Sequence, residues 1–278
     1  MTNISATKKL LWALFFVAAC IVTFVVFLVV KWPFTRQAMT KRLENASSLK
    51  VEMRGFRSTW FPYPGCVADD VVFSPAFSTA GAKSRDAIIS VSKLTIQSTF
   101  AGLFSKPARI KRLIADGLRI HVPAGGVNLH TDGDSGTTDS TSSGDQTVIE
   151  EFRADNAVLE LASSYGGQRG LVFPIHHSLF RNITGKTTIP FEVSLHLPVP
   201  PGEVESYGWI GPWNLRGTAR STPVSGTYTL KGANLGVFKG LSGQVSSRGQ
   251  FTGNLERLAV SGSTDTPNFE VTDSGHPI

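Results

Sequence analysis

One uninterrupted apolar run decides where this chain can reside. From Leu10 to Val30 it reads LLWALFFVAACIVTFVVFLVV, with no charged residue and Thr23 as its only polar side chain. As a helix rising 1.5 Å per residue, such a run spans roughly 30 Å, the thickness of a bilayer's hydrocarbon core. In lipid a lone segment satisfies its backbone only as a helix. A cleaved signal peptide has an apolar region of about 7–15 residues ending at a small-residue site, and this run is longer. Val17-Ala18-Ala19-Cys20 has the local look of a lipoprotein cleavage motif, but cleavage before Cys20 would leave IVTFVVFLVV at the new N-terminus. The expectation is a cytoplasmic tail over 1–9, a transmembrane anchor over 10–31 and a folded domain behind it. Lys8 and Lys9 precede the run while Lys31, Arg36, Lys41 and Arg42 follow it, so the positive-inside rule does not fix the orientation. A short N-terminal tail before a long domain is the ordinary arrangement for exporting that domain.

Beyond the anchor the composition argues for strands. Gly 27 and Pro 15 in 278 residues, with many Ser, Thr and Val, suit short strands and turns. Thr35–Ala46 reads as a short amphipathic helix, capped by Thr35, with Met39, Leu43 and Ala46 on one face. Period-two alternation then takes over at Leu49, Val51 and Met53, at Leu118, Ile120 and Val122, and at Phe191, Val193, Leu195 and Leu197. No helix-length crossovers separate these runs, so the sheet is expected to be antiparallel. Cys20 falls in the anchor and leaves Cys66 without an intradomain partner.

Two segments repeat. Ile110, Leu113, Ala115, Asp116 and Gly117 match Ile149, Phe152, Ala154, Asp155 and Asn156 at identical spacing, and Ile120 and Val122 match Leu159 and Leu161. Asp-Gly and Asp-Asn supply the positive-φ residues of a tight hairpin, so each copy reads as strand, turn, strand. Between the copies, His130–Gln146 carries no large apolar residue and reads as a linker over 130–147. It divides the domain into a membrane-proximal β unit, 32–129, and a second β unit, 148–278.

Chemistry-bearing motifs fail one by one. The linker aspartates miss the calcium-binding EF-hand loop, since Ser143 stands where a bidentate Glu belongs counting from Asp132. Gly185-Lys186-Thr187 has the tail of a phosphate-binding loop, but Phe180 occupies the required glycine position and Thr188-Ile189-Pro190 follows instead of a helix. His176 and His177 are adjacent, so in a regular strand they point to opposite faces without a third metal ligand. Glu150, Glu151 and Asp155 are not singled out as a catalytic pair. The tryptophans of Gly208-Trp209-Ile210-Gly211-Pro212-Trp213 are expected to cover a sheet end. The reading is non-enzymatic, with no cofactor, no metal and no nucleic-acid partner; the net charge of +6 gathers partly beside the anchor.

A combination of segments resembles the AsmA-like family of bacterial envelope proteins. It comprises the anchor, VEMRGFRSTWFPYPGCVADDV from Val51 to Val71, the ADG and ADN repeats, PVPPGEVESYGWIGPWN from Pro198 to Asn214, and the stretch Thr222–Val271. The family is similar to chorein-type bridge-like lipid-transfer proteins, whose repeated β units form a groove lined with apolar residues. The resemblance implies a bacterial inner-membrane protein with a periplasmic ectodomain that takes part in phospholipid transport or outer-membrane assembly. Relatives run on further, so the ending Ser274-Gly275-His276-Pro277-Ile278 suggests a truncated chain. The expected fold is mainly β: the anchor helix, then a curved, elongated antiparallel sheet forming a repeating groove, with few short helices.

Leu118, Ile120, Val122, Leu159, Leu161, Phe191, Val193 and Leu195 are the candidate groove lining, with phospholipid as partner. Periodicity alone would serve equally for the core of a sandwich. Lys31, Arg36, Lys41 and Arg42 are candidates for membrane-surface contacts. The competing reading is a non-catalytic envelope scaffold that binds protein partners and carries no lipid.

Overall fold

A computed structural model describes residues 32–47, 49–75, 88–123, 147–162, 170–184, 187–212, 221–254, 257–273 and 276–277. The tail at 1–9, the anchor at 10–31, the linker up to residue 146, and Gly185, Lys186 and Trp213 lie outside these residues. Among the described residues no helix is long and apolar enough to cross a membrane.

The chain is mainly β. A helix α1 (Arg36–Ser47) leads into β1 (Lys50–Thr59), β2 (Gly65–Ser74), β3 (Ile89–Ser98), a five-residue helix α2 (Phe100–Phe104), β4 (Arg109–Val122) and β5 (Val148–Leu161). Then follow β6 (Leu171–Ile183), β7 (Ile189–Pro198), β8 (Pro201–Ile210), β9 (Pro223–Asn234), β10 (Leu241–Ser242), β11 (Gln244–Asn254) and β12 (Leu258–Asp265). The short β13 (Glu270–Asp273) and β14 (His276–Pro277) close the chain. β1 to β9, β11 and β12 make one eleven-stranded sheet in sequence order, while β10, β13 and β14 form a small one. At a strand spacing of about 4.8 Å the large sheet extends roughly 48 Å across its strands.

Thr35 caps α1, its Oγ1 accepting from the Ala38 amide at 3.3 Å. Met39 is buried and Leu43 half-buried, as expected, but Ala46 is exposed. Trp32, Phe34 and Met39 share one buried cluster with Val51, Met53, Val71, Val91 and Leu94, closing the apolar face of the first three strands.

The pairing of β4 with β5 corrects two expectations. These strands are parallel, with Ile110 opposite Ile149 and Asp116 opposite Asp155. The repeat is therefore a spatial one, in which each residue lies beside its counterpart in the other copy. The pair joins the 32–129 and 148–278 segments in one sheet. All other neighbours in the large sheet are antiparallel. Parallel pairing needs a long return connection but not a helical one, so the lack of a helix between the copies did not exclude it.

Nor is either copy a hairpin. Each is a single fourteen-residue strand in which Gly117 (φ 64°) and Asn156 (φ 52°) form a kink. Asp70 in β2 has the same left-handed backbone (φ 50°), and the pairing sets it in line with them through Ser92. The result is a crease across β1–β6. On each strand the apolar series skips a residue there: Cys66 and Ala68 then Val71 and Phe73, Leu113 and Ala115 then Leu118 and Ile120, Phe152 and Ala154 then Ala157 and Leu159. Two consecutive residues at the crease leave the apolar face, as in a β-bulge. Because β1–β6 all carry the extra residue, pairing is kept. It is resolved at β6–β7, where Ile175 faces Leu195 and His177 faces Ser194, leaving His176 unmatched. β7 itself alternates strictly, and a further bulge falls at Gly232 (φ 60°), where β9 pairs with β11.

Candidate functional site

Cross-strand partners project from the same face of a sheet, so the register places all eight groove candidates together. Ile120 lies opposite Ile89 and Leu159, and Leu159 opposite Phe173. Val122 lies opposite Leu161. Phe191 faces Phe180, Val193 faces Ser178, and Leu195 faces Ile175 and Val204. All eight are half-buried. Among the described residues β5–β9 have their extensive contacts only with sheet neighbours. Among the described residues no second sheet lies over this face.

The face has relief. Its middle row runs Ala115, Ala154, Ser178, Val193 and Ser206. One flanking row holds Leu113, Phe152, Phe180 and Phe191, whose phenyl rings follow one another at 5.9 and 6.2 Å between centroids. The other holds Leu118, Ile175, Leu195 and Val204. The middle row, small except for Val193, thus lies between rows of mostly large apolar side chains, the second of them interrupted by Ala157 between Leu118 and Ile175, about 13 Å from one flanking row to the other. Ala115, Ala154 and Ser178 are buried between the walls, and the Ser178 hydroxyl donates to the Ala154 carbonyl at 3.0 Å. The trough crosses the strands rather than following them.

Towards β12 the Phe152–Phe180–Phe191 row continues through Gly208, Gly226, Phe251 and Val260. Gly208 and Gly226 lie between Phe191 and Phe251, whose ring edge reaches over Gly226, and all four line a depression of about 670 Å³. Alongside it, Leu230, Ser247 and Thr264 sit in a second depression of about 550 Å³, where Tyr228 and Thr264 hydroxyls lie 3.1 Å from the Ser247 hydroxyl. The apolar surface therefore grades into hydroxyls at its far end.

The opposite face is charged. Arg112 Nε donates to Glu151 at 2.8 Å. Asp155 accepts from Arg153 Nε at 2.7 Å and lies 2.6 Å from His177 Nδ1. Glu203 lies between His176 (3.1 Å) and His196 (2.8 Å). The carboxylates are thus occupied in cross-strand pairing, and no group of three or more His, Cys, Asp or Glu side chains among the described residues is arranged for a metal. His176 and His177 both turn away from the apolar face, contrary to simple alternation, because the crease removes two successive residues from it. Trp209 does not cover a sheet end: it stands on the charged face, between Pro190 and Ser225, and is 56% exposed.

Partial burial tends to raise the Asp155 carboxyl, but the hydrogen bonds and charges of His177 and Arg153 together hold it below the ordinary carboxylate range. The His196 hydrogen bond does most to lower Glu203, with His176 adding to it against a weaker burial effect. A carboxylate with a depressed folded-state pKa contributes stability that is fully present above its unfolded pKa, near 4, and is lost as pH falls through the folded value. Thermal melts should therefore be insensitive to this pair between pH 7 and 5 and decline below about pH 4. Asp155→Asn should make that acid decline shallower, as scanning calorimetry at stepped pH would show.

Of the basic residues expected at the membrane surface, Arg36, Lys41 and Arg42 are among the described residues. Arg36 donates to the carbonyls of Met53 and Arg54, the latter at 3.3 Å. Lys41 and Arg42 are exposed on α1, which leads away from the Thr59 end of β1. Lys31 lies outside the described residues. Comparisons with protein-family models, with curated proteins and with solved structures find no match.

Proposed function

We propose that this chain is a membrane-anchored, AsmA-like lipid-carrying protein of the bacterial envelope, non-catalytic, whose apolar trough holds phospholipid acyl chains. The observation that carries this reading is the row Ala115, Ala154, Ser178, Val193 and Ser206, set between rows rich in Phe, Leu, Ile and Val with no second layer over it among the described residues. Exposed apolar surface on this scale marks an interaction site, and a trough with an apolar floor and few polar groups suits hydrocarbon better than a polar ligand. Charges on the reverse face keep that side in water. In this reading the anchor at 10–31 places the domain in the periplasm beside its lipid source.

A scaffold role has one observation in its favour. Among the described residues β12 is a sheet edge paired only with β11, with Leu258 and Val260 exposed, and a partner strand could add there. The two readings separate on cargo. The piece 32–278, which keeps Trp32, Phe34 and Met39 over the first strands, should retain about one or more phospholipids per chain in native mass spectrometry. A lipid-free, compact piece would favour the scaffold.

A further inference from the structure

The turn between β1 and β2 reads Trp60-Phe61-Pro62-Tyr63-Pro64 and leaves its aromatic side chains outside. Phe61 is 88% exposed, more than any other large apolar side chain among the described residues, and Trp60 and Tyr63 are each 40% exposed. Phe100 opens α2 in the adjacent turn, 43% exposed, and the two turns are tied together by the Ser98 amide donating to the Pro64 carbonyl at 2.8 Å. A folded domain in water gains nothing by presenting these rings together.

Their place in the fold gives the reason. Trp32 stacks on Trp60 at 3.5 Å between centroids and 13° between planes, and the Ser58 hydroxyl donates to the Phe34 carbonyl at 2.5 Å. Trp32 is two residues past the end of the Leu10–Val30 run. Consecutive Cα atoms are 3.8 Å apart, so the Trp32 Cα stands within about 8 Å of the Cα of the run's last residue. Lys111 Nζ lies 4.3 Å from the centre of the Tyr63 ring, and Lys106 is exposed nearby. Aromatic rings with lysines at their edge, beside a membrane span, match the chemistry of the lipid headgroup boundary.

We propose that the Trp60–Tyr63 turn is a second membrane contact, with Phe61 inserted at the headgroup–acyl boundary of the bilayer that holds the anchor. This rests on reading 10–31 as a membrane anchor but not on lipid in the trough. Two contacts, anchor and turn, fix the tilt of the sheet where one flexible tether would not. The occupant is a lipid surface rather than a protein because the turn is bound to the chain at the point where it leaves the apolar run.

The test uses the full chain with Cys20→Ser, reconstituted in phosphatidylethanolamine–phosphatidylglycerol vesicles. Cys66 is buried, and burial pushes its thiol up to about 12, so it does not compete for a thiol-reactive dye. An environment-sensitive dye is placed at Phe61→Cys or, as control, at Val199→Cys, an exposed residue at the opposite ends of the strands. The expected result is blue-shifted emission at position 61 and several-fold stronger quenching by a lipid-borne spin label than at 199. Equal quenching at the two sites overturns the docking and leaves the trough reading intact. A blue shift at 61 without lipid quenching shows a protein contact instead, and likewise overturns it. Failure to co-float with vesicles overturns the anchor and the docking together. Phospholipid content measured on the same samples reports the trough independently.

Discussion

Val193→Glu should empty the protein of lipid while leaving it folded. Val193 stands in the middle row between Ser178 and Ser206, half-buried and, among the described residues, under no second layer. A carboxylate there meets water when the trough is empty, so the stability cost should be that of an exposed strand position, about 1 kcal/mol or less. With lipid present the same group would have to be desolvated among acyl chains, a penalty of several kcal/mol that excludes the cargo. Bound phospholipid, counted by extraction and mass spectrometry, should fall to background with Tm lowered by no more than a few degrees. A closed core would respond the other way, since an unpaired buried charge there costs enough to unfold it.

Gly117→Val should cost the sheet a large part of its stability. Gly117 has φ 64°, where a β-branched residue is strongly disfavoured, and an added Cβ would lie 2.6 Å from the Ser92 Oγ and 3.0 Å from its Cβ. Strain and overpacking together should cost about 3 kcal/mol and lower Tm by about 6–12 °C. Gly117→Asn, matching Asn156 in the neighbouring copy, should keep much of that loss from appearing, because Asn tolerates the left-handed region. Chemical denaturation of both variants would show the difference. If valine were as well tolerated as asparagine, the crease would not be a fixed feature of the fold.

The crease also marks where the sequence was readable. Phe191, Val193, Leu195 and Leu197 announced β7 because no bulge interrupts it. On β2, β4 and β5 strict alternation holds for only a few residues before the phase slips, so each strand looks like two fragments. Asp116-Gly117 and Asp155-Asn156 were legible as positive-φ sites, but local chemistry is the same for a hairpin turn and for a kink, and only the partner strands decide between them. The repeat was visible, whereas its parallel pairing was not, since nothing in either copy names its neighbour. The eight lining residues share one face. The floor was missed because Ala115, Ala154, Ser178 and Ser206 are individually featureless, and become a trough only when register sets them between larger rows. The exposed turn at Phe61 gained its meaning from the Trp32–Trp60 stack, a contact across 28 residues of chain.

The most direct measurement of the central claim is a cross-linking map. The full chain, in vesicles containing a phospholipid with a photoactivatable group midway along one acyl chain, would be irradiated and its modified peptides identified. Lipid in the trough predicts adducts on the floor and walls, at Phe180, Phe191, Val193 and Phe251, and few on the charged face at Arg153, Glu192 or Glu205. Adducts confined to 10–31 and the Trp60–Tyr63 turn, with the trough unlabelled, would contradict it.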